Sequence, residues 1–138
     1  MLTLEVAQKI IAGALAAARE LKLKPMGFVV LDERGALRAS ASEDGTSLAR
    51  WKVAYGKAHG SISMGVSSRI LEKLAVERPY FIGSLASVFP EGIVPVAGGV
   101  LIRDASGAVI GAAGASGDTS DNDEAALLKA LAAVGLSA

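Results

Sequence analysis

The sequence predicts an α+β fold, an antiparallel β-sheet flanked by α-helices, and three observations carry that prediction. Two segments, 26–45 and 98–115, each read as strand, tight turn, strand. Helical patterns precede, separate and follow them. No linker, low-complexity tract or solenoid repeat interrupts the 138 residues, so a single domain spanning 1–138 is expected.

The first element, LTLEVAQKIIAGALAAARELKLKP, spaces Leu4, Ala7, Ile11, Ala14, Leu15 and Ala18 by threes and fours, the pattern of an amphipathic helix. Thr3 is positioned to cap it, Lys22 and Lys24 suit the negative end of its dipole, and Pro25 prevents continuation. A hairpin follows over 26–45, with Asp32 to Gly35 as the turn. The stretch TSLARWKVAYGKAHGSISMG predicts a second helix, with Thr46 or Ser47 as cap. Leu48, Trp51, Tyr55, Ala58 and Ile62 form its core stripe, and His59 lies at the edge of that arc. Gly56 and Gly60 define another side, open to a neighbouring backbone. SSRILEKLAVERP predicts a short third helix ending before Pro79, and YFIGSLASVFPEGI a covering loop or irregular segment. A second hairpin turns at Asp104 to Gly107, and SDNDEAALLKALAAVG predicts a last helix, acidic at its start and closed by Gly135.

Composition narrows the chemistry. Fourteen basic residues balance fourteen acidic ones, which leaves no overall field to attract nucleic acid or an anionic membrane. The absence of cysteine rules out a disulfide framework, a thiolate nucleophile and thiolate-bound metal. No run approaches the 18 or so apolar residues of a membrane span, and the N-terminus lacks the basic and apolar regions of a signal peptide, so the expected location is cytoplasmic.

Residues 96–125 pack glycines into a strand and then turn acidic. The GAAGASG run has neither the spacing of a dinucleotide fingerprint nor the Gly-Lys-Ser/Thr of a phosphate loop. Glycines at 111, 114 and 117 indicate a strand that something approaches closely, either another helix or a ligand. Asp118, Asp121, Asp123 and Glu124 lack calcium-loop spacing and read as helix-start residues. His59, the only histidine, is the one imidazole available for acid–base work or for ligating haem iron; otherwise it is a half-buried ring bonded near Tyr55. No other metal ligand set is expected. Lys57 lies almost opposite the core stripe, either solvated or facing a pocket completed by a second chain, and Arg50 shares its side. With the Gly98 and Gly99 amides the two cations form a plausible cradle for a carboxylate or a haem propionate.

The helix start LTLEVAQKII, the Lys57-Ala58 pair and the block VPVAGGVLIRDASGAVIGAAGASGDTSDNDEAA resemble the GlcG/HbpS family of haem-degrading-type proteins, which also includes the C-terminal domain of PduO-type proteins. The resemblance spans Leu2 to Gly135. It implies a profilin-like fold, homo-oligomers, haem binding in some members and an origin in bacterial catabolic operons. Gly98, Gly99, Gly111, Gly114, Ser116, Gly117, Asp123 and Glu124 match the family pattern, in a region that borders the family's ligand pocket. Two positions depart from it, Ala97 and Leu101, where prolines are usual, and the first helix lacks the histidine that ligates haem in some relatives.

The resulting expectation is a small-molecule-binding protein with haem as its cofactor option and a site drawn from Arg50, Lys57, His59, Gly98, Gly99, Ser116, Asp123 and Glu124. The alternatives are a small catabolic enzyme of tautomerase, isomerase or hydratase type, with His59 or Lys57 as acid–base and glycine-loop amides stabilising an enolate, and a subunit whose glycine-rich surfaces serve only assembly. A homo-oligomer is expected, with no nucleic-acid or membrane partner.

Overall fold

The computed structural model describes residues 1–138. In chain order it comprises α1 (Leu4–Glu20), β1 (Gly27–Asp32), β2 (Leu37–Ser42), α2 (Ala49–Met64), α3 (Ser68–Glu77), α4 (Pro79–Val88), β3 (Gly99–Arg103), β4 (Val109–Ser116) and α5 (Ser120–Ala133). The four strands form one antiparallel sheet in the order β2-β1-β4-β3, so the two hairpins join through β1 and β4. The α+β architecture read from the sequence is the one observed.

The turns show why the hairpins form where they do. The Asp32 carboxylate accepts from the amides of Arg34 and Ala36, and Asp104 repeats the device with Ser106 and Ala108. Each closes its turn through side-chain bonds to the backbone two and four residues on. Thr3 and Thr119 cap α1 and α5 by accepting from Val6 N and Asn122 N, each at 3.2 Å. These caps fix where the two helices enter the layer that covers one face of the sheet. Ile10, Ala14, Ala17, Leu127 and Leu131 pack there against Phe28, Val30, Ala113 and Ala115.

The opposite face is covered by α2, and here the structure corrects the sequence reading. Leu48 is 77% exposed and Trp51 43%, whereas Ala54 and Ala58 are fully buried. Small residues face the sheet because the sheet presents almost bare backbone to them. A Cβ added at Gly114 would land on the Ala54 carbonyl, 2.9 Å from its carbon and 3.1 Å from Ala58 N. The glycine-spaced strand therefore makes room for a helix. Of the stripe read from the sequence, Ala58 is buried and Tyr55 and Ile62 pack against Val29, Leu31 and Ala112, whereas Leu48 and Trp51, at the start of the helix, are turned outward.

Three smaller corrections follow. Of segment 80–93, residues 80–88 are helical and 89–93 are irregular as read; Pro79 stands at the first position of α4, where its missing N–H costs nothing. Neither Thr46 nor Ser47 caps α2, whose first turn begins at Leu48 with no side-chain acceptor. On α1, Leu4 is exposed and Ile10 is buried in its stead.

The turn and cap aspartates predict the acid stability of the fold. The Lys24 amide, the Asn122 side chain and the Thr119 amide hold Asp118 at about 2. The Ser106 hydroxyl and nearby amides hold Asp104 below the usual 3.8. Burial alone would raise Asp32, but the Ala36 and Arg34 amides outweigh it and hold it low as well. All three bind a proton less readily folded than unfolded, so their contribution is complete above about pH 4 and is lost as pH falls toward 2. Melting temperature against pH should show that acid limb. Asp118→Asn should flatten it.

Candidate functional site

Helix α2 carries three of the sequence-predicted site residues but sends them to different places. Lys57 and Arg50 are two turns apart on one side; His59 projects almost oppositely. The structure thus divides the expected site into three environments.

Lys57 is neither solvated nor directed at a second chain. It is 3% exposed, and its Nζ donates to the Ala115 carbonyl and to Asp123 Oδ2, each at 3.0 Å. The ammonium crosses the end of the sheet to the first turn of α5. Gly98 lies where it passes: a Cβ there would sit 2.8 Å from Nζ, on a backbone with φ of +120°. A Cβ at Gly99 would strike the Lys57 carbonyl and come within 2.9 Å of Ser68 Oγ. The Gly99 N–H already donates to that hydroxyl at 2.7 Å. The glycine pair is thus filled by the protein's own groups, and neither the Gly99 amide nor the Lys57 ammonium is offered to an anion. Burial pushes the Asp123 carboxyl up, against the lowering pull of the Asp118 amide and of Lys57. Ser116 is buried beside this pair. Arg50 is exposed, and its Nη1 donates to Ser116 Oγ at a long 3.4 Å.

Glu124 belongs to a second environment. Arg69 of α3 clamps it at 3.1 Å and Asp121 at 2.6 Å, which ties α3 to α5. Glu124 also lines an open cleft of about 350 Å³ with Val100, Leu101 and Arg103.

His59 forms the third environment, held in place at one ring nitrogen and unpartnered at the other. Its ring stacks on Tyr55, centroids 5.5 Å apart, and meets the edge of Phe89 at 6.3 Å. Nδ1 lies 2.9 Å from the Gly92 carbonyl. A carbonyl only accepts, so Nδ1 carries a proton, and in the neutral ring Nε2 then keeps its lone pair. Nε2 has no hydrogen-bond partner and is not sealed in the interior, where the sole unpartnered side-chain polar atom is Thr46 Oγ1. Phe89 and Gly92, which hold the ring, also line an apolar cleft of about 370 Å³ with Ile82, Leu85, Ile93 and Pro95. Sequence reasoning missed Phe89 and Gly92, since both lie in the segment read as irregular. It also missed Ser68 and Arg69, which no local motif distinguishes.

A family described as "Haem degrading protein HbpS-like" matches residues 2–132. The chain belongs to the HbpS-like family. Among solved structures, HbpS has a TM-score of 0.82 at 26% identity, over 96% of this chain and 89% of that one. A PduOC–haem complex has a TM-score of 0.82 at 21% identity, over 94% and 92%, and the Klebsiella pneumoniae protein ORFY 0.83 at 24%, over 94% and 88%. At these identities the last two show the fold alone. No curated protein matches the chain. No helix is long and apolar enough to cross a membrane.

Proposed function

We propose that this HbpS-like protein binds a planar, largely apolar small molecule of the haem class, and that His59 is the side chain that ligates its iron. The observation that carries the reading is the setting of the imidazole: Nδ1 donates to the Gly92 carbonyl, and Nε2 has no hydrogen-bond partner in a ring that is 8% exposed. Metal-binding histidines ordinarily donate their second nitrogen in this way, which fixes the tautomer and raises ligand basicity. The residues beside the imidazole suit the group: Tyr55 and Phe89 flank the ring, and Phe89 and Gly92 connect it to the apolar α4 cleft. When bound, haem would supply redox and oxygen chemistry of its own; this chain's residues hold it, orient it and limit water around it.

The reading moves the site away from Arg50, Lys57, Gly98, Gly99, Ser116, Asp123 and Glu124, which become the frame that positions α2, α3 and α5. It also favours binding over acid–base catalysis, because Lys57 has no free access and His59 has no second titratable partner within hydrogen-bond reach. A cytoplasmic homo-oligomer is part of the same proposal.

Titration with haemin, followed at the Soret band, tests it. The native protein is expected to give a saturable, shifted band, and His59→Ala to lose it with its melting curve little changed. Added imidazole should restore the band by occupying the vacated space. A native protein without a specific band would overturn haem as the ligand, and an unaltered band in the variant would overturn His59 as the axial group.

A further inference from the structure

Strand β3 is an edge of the sheet, and its outer side leaves backbone groups unpaired at one residue. The Ala115 N–H bonds the Gly98 carbonyl, and from there the antiparallel ladder turns Val100 and Ile102 toward β4. Gly99, Leu101 and Arg103 therefore turn their N–H and C=O groups outward. At Gly99 the Ser68 hydroxyl takes both, accepting from the amide at 2.7 Å and donating to the carbonyl at 3.2 Å. At Arg103 the backbone of Ser137 takes both, accepting at 2.7 Å and donating at 3.1 Å. Leu101, between them, has a partner for neither group, although the residue is only 4% exposed. Buried peptide groups are nearly always paired, because an unpaired one costs about as much as a lost hydrogen bond. Leu101 lines the cleft of about 350 Å³ between α3 and α5, whose apolar walls include Val66, Ile70 and Leu128.

We propose that this cleft is a second binding site, and that it takes a neutral N-acylated amino-acid amide with an apolar side chain. The backbone pair selects the class. Leu101 offers one donor and one acceptor side by side, which a carboxylate cannot match because it only accepts, nor an ammonium because it only donates. An amino-acid residue with an amide on each side matches both, as Ser137 already does in the next slot of the same edge. The charges at the rim are engaged within the chain, Glu124 by Arg69 and the Arg103 guanidinium by the Gly107 carbonyl. What remains for recognition is the Leu101 pair and the apolar walls. Ser68 and Ser137 close the edge on either side, so the slot holds one residue and not a longer strand. The site shares no lining residue with the cleft beside His59.

The test is an amide-resolved magnetic resonance titration of the full chain, without haemin, using N-acetyl-leucine N-methylamide as the probe. In the free protein the Leu101 amide should exchange with solvent faster than those of Val100 and Ile102, which the ladder protects. The probe should move the Leu101 amide proton downfield and saturably while the His59 ring signals stay in place, so the result is separate from that of the haem titration. An analogue with an ester oxygen in place of the leucine N–H should bind about tenfold more weakly. Leu101→Pro removes an N–H that no ladder bond uses and should weaken binding by a similar factor. A blocked trileucine should gain nothing over the single residue. A Leu101 amide as protected as its neighbours, no saturable shift, or an ester analogue or proline variant that binds as the native pair does would each overturn the site. A trileucine that binds more tightly would overturn the one-residue slot. The ester comparison uses the native chain, so it decides even where Leu101→Pro fails to fold.

Discussion

Gly114→Val is expected to leave the chain unable to reach its native state. The centre of the fold is the contact between α2 and β4, and at Gly114 the helix carbonyl of Ala54 occupies the place where a side chain would begin. Neither neighbour can yield. Ala54 is in the middle of α2, its carbonyl part of the helix ladder, and Gly114 pairs with both Val29 and Gly99 in the middle of the sheet. Overpacking commonly costs about 1–3 kcal/mol when side chains can shift, and a clash between two backbones exceeds that range. Even Gly114→Ala should cost at least about 3 kcal/mol, a large fraction of the stability of a chain this size. Urea denaturation of Gly114→Ala beside Gly83→Ala checks this, since a Cβ at Gly83 meets nothing within 4 Å. A small effect at Gly114 would mean that α2 does not lie where described.

Lys57→Met is expected to be the second most damaging change, and its cost should depend on pH. Removing the ammonium leaves the Asp123 carboxylate buried with only the Asp118 amide to hold it. Breaking a buried pair by deleting one partner costs about 3–5 kcal/mol, most of it the penalty of the stranded charge. Burial already pushes Asp123 up, and losing the cation pushes it further. A group whose folded pKa is raised adds stability at pH below its unfolded value of 3.8, and that stability is lost as pH rises through the folded value. The deficit of Lys57→Met relative to native should therefore be largest at neutral pH and shrink on acidification. Lys57→Met with Asp123→Leu should recover much of the loss at pH 7. A deficit that does not shrink as pH is lowered from 7 toward 3.8 would contradict the pairing. Melting temperatures of the three proteins across that range supply the comparison.

The two effects have one origin, and it explains which parts of the molecule were legible in the sequence. Hairpins were legible because their determinants are local: Asp32 and Asp104 bond amides two and four residues on. The Thr3 cap of α1 was legible for the same reason, whereas the Thr119 cap of α5 went unread. The facing of α2 was not, because periodicity assumes that large apolar residues seek the interior. Ala58, Tyr55 and Ile62 were placed correctly, but opposite Gly114 the closest approach is made by Ala54, and Leu48 and Trp51 stay outside. The helix α4 was missed because PYFIGSLASV is apolar throughout and gives no amphipathic contrast, while Pro79 was read only as a stop.

The candidate site was legible as a list of residues and not as a geometry. The Gly98-Gly99 pair was conspicuous, but whether a ligand or the protein fills it depends on Lys57 and Asp123, 66 residues apart. A buried pair at that separation leaves no mark on local pattern. His59 was singled out because it is the only histidine. Its tautomer depends on Gly92, 33 residues away, and its packing on Phe89 in the segment read as irregular. The proposed reading takes its ligand class from family membership and its residue from the imidazole geometry.

The central claim is that His59 presents an unprotonated Nε2 to a ligand. It is tested most directly by two-bond proton–nitrogen correlation of the single imidazole, recorded with and without one equivalent of haemin. The account predicts the neutral Nδ1–H tautomer in the free protein, and loss of the ring signals to the paramagnetic iron once haemin is bound. An Nε2–H tautomer, or ring signals that haemin leaves unchanged, would contradict it.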